Sequence, residues 1–156
     1  MVNLLTKLET LIKKKRPDLF RHLSPPLFDT ELNQALGDYA SKLPKSLKSI
    51  WMWHNGQSPD YYGDFHSKTN EMLMSVEDSL EVKKMLDDYT ISGDISKTNW
   101  NLDWFPFMEN GGGNYMCISL NDGSIYYFDK GEVSTGHRFN SFEDWFSDLL
   151  NGYEAL

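Results

Sequence analysis

The chain has a single cysteine, Cys117, so no disulfide can close within it. It has no apolar run near the roughly 18 residues that a membrane helix needs. The opening segment, MVNLLTKLETLIKKKRPDLF, carries an apolar stripe but no unbroken apolar block, so no secretion leader is expected there. These absences point to a reducing, cytoplasmic setting without membrane contact. Positive charge is scarce: 15 Lys and Arg stand against 23 Asp and Glu, for a net charge of −8. An acidic surface repels phosphate, so no nucleic-acid partner is expected. There is no internal repeat and no low-complexity tract. The length of 156 residues fits one domain with a full core.

The charge that is present is segregated. Residues 1–59 hold nine Lys/Arg and five Asp/Glu (+4), residues 60–109 hold four and eleven (−7), and residues 110–156 hold two and seven (−5). Such a surface draws a basic partner inward, although a solvated acidic exterior needs no partner at all. Aromatic residues make up 14% of the chain, which calls for a heavy core, a sticky surface, or both.

Hydrophobic spacing locates the elements. Leu4, Leu5, Leu8, Leu11 and Ile12 recur with helical period up to Pro17, and Lys13–Arg16 suit the negative end of that helix. A short helix is expected near Thr30–Leu36. In LPKSLKSIWMWHNG (43–56), Pro44 suits the first helical position, and Leu47, Ile50, Trp51 and His54 are expected on one face. Asn55-Gly56 then supplies a left-handed turn. Residues 57–70 read as a long polar loop bearing aromatics, and residues 72–74 as a strand. Ser75 with Asp78 opens a helix through about Asp88, residues 91–99 form a loop, and 104–107 form a strand in which Pro106 implies an edge or a bulge. Ser141 with Asp144 opens a closing helix with a wide apolar face (Phe142, Trp145, Phe146, Leu149, Leu150), ended by Gly152.

The three glycines Gly111, Gly112 and Gly113 resemble a phosphate cradle, but their context does not fit one. They lead into NYMCISL, then Asp122-Gly123, then SIYYF: a hairpin. A phosphate loop needs glycines leading into a helix N-terminus, with Lys-Ser or Lys-Thr behind them. These glycines therefore open a strand. The resulting order predicts an α+β fold in a single domain: N-terminal helices over about 1–56, a mainly antiparallel sheet over about 57–139 with a middle helix, and a closing helix over about 141–151.

Catalytic chemistry is hard to find. His22, His54, His66 and His137 are scattered, without metal-ligand spacing, and no metal or other cofactor is expected. Cys117 reads as a small hydrophobe in a strand. Pro59-Asp60 followed by Glu81-Val82-Lys83 mimics a metal-dependent nuclease, but Glu81 and Lys83 lie two apart in a predicted helix and so point to different faces. The exposed chemistry is acidic and aromatic, which suits a protein interface. Asp60, Tyr61, Tyr62, Asp64, Asp87 and Asp88 are the contact candidates.

Three motifs in register carry a resemblance. LPKSLKSIWMWHNG, WFPFMENGGGNYMCISLNDGSIYYFD and SFEDWFSDLL resemble the signatures of the SUKH superfamily, the Smi/Knr group of fungal cell-wall glucan synthesis regulators and their bacterial relatives. The match runs from about Leu43 to Leu150. The resemblance implies an α+β domain with a binding role and no enzymatic activity. Bacterial members resemble immunity proteins that neutralise toxins, often nucleases, so the implied partner is a basic protein toxin; a scaffold in cell-wall synthesis is the alternative. Pro44, Asn55, Gly56, Trp104, Pro106, Gly113, Ser141 and Trp145 match as fold markers. Ser119 departs from the pattern, which often has Asp after the central strand.

Overall fold

In the computed structural model, which describes residues 1–93, 100–131 and 136–156, the elements follow the apolar spacing closely. Their order is α1 (Val2–Lys15), α2 (Pro17–Arg21), α3 (Asp29–Leu36), a 3-10 turn (Gly37–Ser41), α4 (Lys45–Trp53), β1 (Met72–Leu73), α5 (Val76–Ser92), β2 (Trp104–Glu109), β3 (Tyr115–Ser119), β4 (Ile125–Phe128), β5 (His137–Phe139) and α6 (Phe142–Glu154). The strands form one antiparallel meander in the order β1-β2-β3-β4-β5. The fold is α+β, as the sequence predicts.

Strand alternation sends side chains to two layers. Phe105, Met116, Ile118 and Ile125 join the main core with α1, α4 and α6. Trp104, Tyr115, Cys117 and Phe128 point the other way, against Leu86 of α5 and Trp100. Residues from the N-terminal helices, the sheet and α6 thus share one main cluster. Lys15 fastens the first helix to the last by donating to the carbonyls of Tyr153 (2.7 Å), Glu154 (3.0 Å) and Leu156 (3.1 Å), groups that a helix end leaves unpaired.

Several boundaries differ from expectation, each for a physical reason. Pro44 stands just before α4 in extended geometry, at the cap position, and not at the first helical position. His54 leaves the helix (φ −148°), so it does not share the face of Leu47, Ile50 and Trp51; its Nδ1 lies 2.8 Å from the Ser24 carbonyl. The middle helix continues past Asp88 to Ser92 and stops at Gly93, whose φ of +83° closes it. Of the loop expected at 91–99, residues 94–99 lie outside the described residues. Gly152 does not end α6: the helix runs on to Glu154, and a Cβ on Gly152 would collide with Ser67 Oγ, so close packing explains that glycine. Pro106 marks a bulge within an inner strand, where the register shifts between Pro106 and Met108.

The glycine run opens β3. Gly111 and Gly113 adopt left-handed φ (+77° and +89°), and Asn110 Oδ1 accepts from the amides of Gly112 (2.8 Å) and Asn114 (3.1 Å). The element they lead into is a strand, not a helix. In the next turn only Gly123 is left-handed, so the hairpin loop is longer than a two-residue turn. Ser119 Oγ accepts from the amides of Asn121 (3.2 Å) and Asp122 (3.4 Å), and so supplies the acceptor that an Asp would offer there.

Candidate functional site

Residues 57–70 carry little regular structure beyond a bridge between Leu23 and Gln57, yet the segment is anchored. Gln57 Nε2 donates to the Gly63 carbonyl (2.7 Å), and Gln57 Oε1 accepts from the Leu73 amide (2.7 Å). The Tyr61 hydroxyl donates to the Asp18 carboxylate, and the Tyr61 ring stacks on His22 at 4.4 Å and 7°. That hydrogen bond holds the Asp18 carboxyl below its ordinary range. Tyr61 is therefore a tether to α2. Tyr62 is 78% exposed, Asp60 is exposed and Asp64 is half-buried.

Asp87 and Asp88 belong to a different surface. They ride on α5, which packs against β2 and α3, whereas the loop is held by α2 and α6. Asp87 is half-buried and accepts from Lys83 Nζ (2.8 Å) and Trp100 Nε1 (2.8 Å). Asp88 is exposed and paired with Lys84 (2.7 Å). The six residues chosen from sequence are thus split between two surfaces, and Tyr61 and Asp87 have internal partners. The outer face of α5 also presents Glu77, Asp78 and Glu81, with Met85 and Tyr89 at 38% and 43% exposure. Sequence reasoning passes over Met85 and Tyr89, although spacings of four, four and three from Glu77 through Glu81 and Met85 to Asp88 already place one stripe.

A concave feature lies elsewhere. An open cleft of about 470 Å³ is walled by His66, Thr69, Glu71, Tyr127, Arg138 and Trp145, among others. Glu71 is only 6% exposed, and its Oε2 has no hydrogen-bond partner. The Thr69 hydroxyl and the Trp145 indole N–H are likewise buried and unpartnered. Burial pushes the Glu71 carboxyl above its ordinary range; Thr69, short of normal hydrogen-bond geometry, and the charge of Arg138 pull it down more weakly. His66 is buried beside Asp148 (Nε2 to Oδ2, 3.1 Å), and burial lowers its pKa against the pull of that carboxylate. Asp148 also binds Lys68 at 2.8 Å. Arg138 lies 5.4 Å from the Tyr127 ring centroid. Nothing in the local sequence SKTNEML marks Glu71 as buried; the fold alone decides it.

A buried carboxyl with a raised pKa binds its proton more tightly in the folded state. Its destabilising effect is absent below the unfolded pKa and grows as pH rises through the folded one. Glu71→Gln is expected to stabilise the protein at pH 7, with the gain shrinking towards pH 4. Urea midpoints of the two proteins across that range would show it, and a gain that is constant with pH would contradict it.

The marker residues have structural work. Asn55 Oδ1 accepts from the Val76 amide (2.9 Å) and its Nδ2 donates to Glu77 (2.8 Å), joining the end of α4 to α5. Ser141 caps α6 by accepting from the Asp144 amide (3.1 Å). Trp104 stacks on Tyr126 (5.2 Å), and Trp145 meets Phe107 edge-on (5.0 Å) and helps to line the cleft. The enzyme-like patterns come apart. Glu81 is exposed while Lys83 is buried, and Cys117 is buried with its thiol pushed well up, which disfavours the thiolate. Among the described residues no three His, Cys, Asp or Glu are grouped to hold a metal, and no helix is long and apolar enough to cross a membrane.

These features define a class: an α+β domain with an antiparallel meander, helices against both sheet faces, and an open cleft beside the closing helix. The chain belongs to the SMI1 / KNR4 family (SUKH-1), whose description matches residues 26–148. No curated protein matches it. Helices α1 and α2 precede the matched stretch, yet they supply Leu5, Leu8, Ile12 and Leu19 to the main core.

Proposed function

We propose that this protein is a non-enzymatic binding module of the immunity type, which binds a basic protein toxin and covers its working surface. The observation that carries the reading is charge segregation on this family's fold: residues 60–156 hold six Lys/Arg against eighteen Asp/Glu, a net −12. Opposite charge of that size accelerates encounter with a basic partner and sets its orientation. Exposed Tyr62, Met85 and Tyr89 beside Asp60, Asp64, Glu81 and Asp88 offer apolar anchors within the acidic field. Asp60 and Asp64 supply charge at the loop, Tyr61 positions that loop from α2, and Asp87 holds the α5 surface in place through Lys83.

The test is association with a basic toxin at several salt concentrations. Asp60→Lys with Asp64→Lys should slow association about tenfold at low salt and flatten its salt dependence. Unchanged kinetics in that double variant would remove the loop from the interface. Failure of the wild-type protein to protect cells expressing any basic toxin would remove the immunity reading itself.

A further inference from the structure

We infer that His66 is a proton-operated latch: uncharged, it ties the loop at 57–70 to α6, and a proton on its ring loosens that tie. The inference rests on the protein-binding reading above, because the segment so controlled is the one that carries Asp60, Tyr62 and Asp64.

The hydrogen bonds fix the state of the ring. The Lys68 amide donates to His66 Nδ1 (3.2 Å), so that nitrogen carries no proton. The neutral ring then bears its proton on Nε2, which lies 3.1 Å from Asp148 Oδ2 and donates to it. One uncharged imidazole thus joins a loop amide to a helix carboxylate. A further proton can enter only at Nδ1, where it would meet the Lys68 N–H head-on. Charging the ring therefore breaks its bond to that amide. His22 and His54 lack this conflict. They turn Nδ1 towards the carbonyls of Asp18 and Ser24, at 2.8 Å each, and a carbonyl accepts from a neutral or a charged ring alike.

The ring sits inside the turn that closes the loop. His66 is only 3% exposed. The Phe65 amide donates to the Glu71 carbonyl (2.8 Å), and the Thr69 amide donates to the His66 carbonyl (3.2 Å). Hydrogen bonds from Lys68 Nζ to Asp148 Oδ1 (2.8 Å) and from the Tyr153 hydroxyl to the Phe65 carbonyl fasten the same turn to α6. Among the described residues, the charged and titratable groups around the ring are Asp148 on α6, Lys68 and Glu71 in the turn, Tyr127 on β4 and Arg138 on β5. Burial opposes a charge on the ring most strongly; Asp148 favours it and Lys68 opposes it, so the pKa lies below the ordinary histidine value. The neutral latch therefore stabilises the fold above a pH of about 6.5, and that contribution is lost as pH falls through the lower, folded value.

Nitrogen-15 spectra of the histidine rings, recorded with amide hydrogen exchange from about pH 7.5 to pH 4.5, test the latch. At the upper end Nε2 should carry the proton and Nδ1 should be bare. As the ring titrates, the Lys68 amide should lose protection about tenfold beyond the intrinsic pH dependence of exchange. In His66→Asn the side-chain oxygen still accepts from the amide two residues on but takes no proton in this range, so Lys68 should stay protected throughout. Asp148→Asn removes the carboxylate that favours the charged ring, so the titration and the loss of protection should move together to lower pH. A ring protonated at Nδ1 in neutral solution, a titration without loss of protection, the same acid loss in His66→Asn, or an unmoved titration in Asp148→Asn overturns the inference. A loop that loosens on protonation in a protein that protects against no toxin upholds the latch and defeats the immunity reading. A toxin bound by a protein whose Lys68 amide keeps its protection does the reverse.

Discussion

Asp87→Ala is expected to destabilise the fold by about 3–5 kcal/mol, the range for removing one partner of a buried ion pair. The Lys83 side chain is only 3% exposed, on the inward face of α5. Its ammonium donates to Asp87 (2.8 Å) and to the Leu102 carbonyl (2.8 Å), and it lies 5.8 and 5.9 Å from the rings of Tyr39 and Trp100. Without Asp87 a buried cation keeps one carbonyl and two ring faces, and Trp100 Nε1 loses its acceptor as well. Lys83→Met combined with Asp87→Leu should recover the part of the loss that comes from the uncompensated charge, while Trp100 Nε1 and the Leu102 carbonyl stay without their partners. The Lys84–Asp88 pair is the built-in control: its side chains are 78% and 59% exposed, so Asp88→Ala should leave the urea midpoint essentially unmoved. Tryptophan fluorescence in a double-mutant cycle reads all of these. An Asp87→Ala protein within about 1 kcal/mol of wild type, the ceiling for a solvated pair, would mean that Lys83 reaches water.

The second large effect is expected at Gly56. Its φ is +79°, and an added Cβ would sit 2.7 Å from Met74 C and 2.9 Å from Ser75 Cα, both backbone atoms. That backbone cannot step aside freely. The Gln57 amide donates to the Leu73 carbonyl (3.1 Å), the Ser24 amide donates to the carbonyl of Gly56 itself (2.9 Å), and Asn55 holds the start of α5. Gly56→Ala combines the left-handed backbone penalty of about 1–2 kcal/mol with an overpacking penalty of about 1–3 kcal/mol. Gly123 separates the two: its φ is nearly the same at +77°, but a Cβ there meets nothing within 4 Å. Gly123→Ala should therefore lose only the backbone part. If thermal melting places the two variants together, close chain approach is not why Gly56 is a glycine.

Legibility in the sequence tracks the local geometry of each element. α1, α4 and α6 carry apolar stripes at helical spacing, so their inward faces can be read directly, except that Leu4 of the α1 stripe is 42% exposed. α5 can be read as a helix from its cap and spacing, but not oriented: its buried face holds Ser79, Lys83 and Thr90 beside Val76 and Leu86. β5 escapes sequence reading because His137–Phe139 is short, and its first two residues are exposed and polar. Gly152 reads as a stop because glycines usually are, whereas here it admits Ser67. The loop at 57–70 can be recognised by its length and polarity. The fate of Tyr61 cannot, because its partner Asp18 lies 43 positions away. The cleft is invisible for the same reason, being assembled from the loop, three strands and α6.

By itself the sequence determined the helix periods, the glycine-opened strand and its hairpin, the segregation of charge, and the motifs that place the chain in its family. These arise from backbone geometry and composition over a few neighbouring residues. Only the tertiary structure decided which polar groups lie inside. Lys83 is enclosed with a carboxylate partner, whereas the Glu71 carboxyl is enclosed with its Oε2 unpartnered, and that difference depends on residues brought together from distant segments, where water is excluded and charge is poorly solvated.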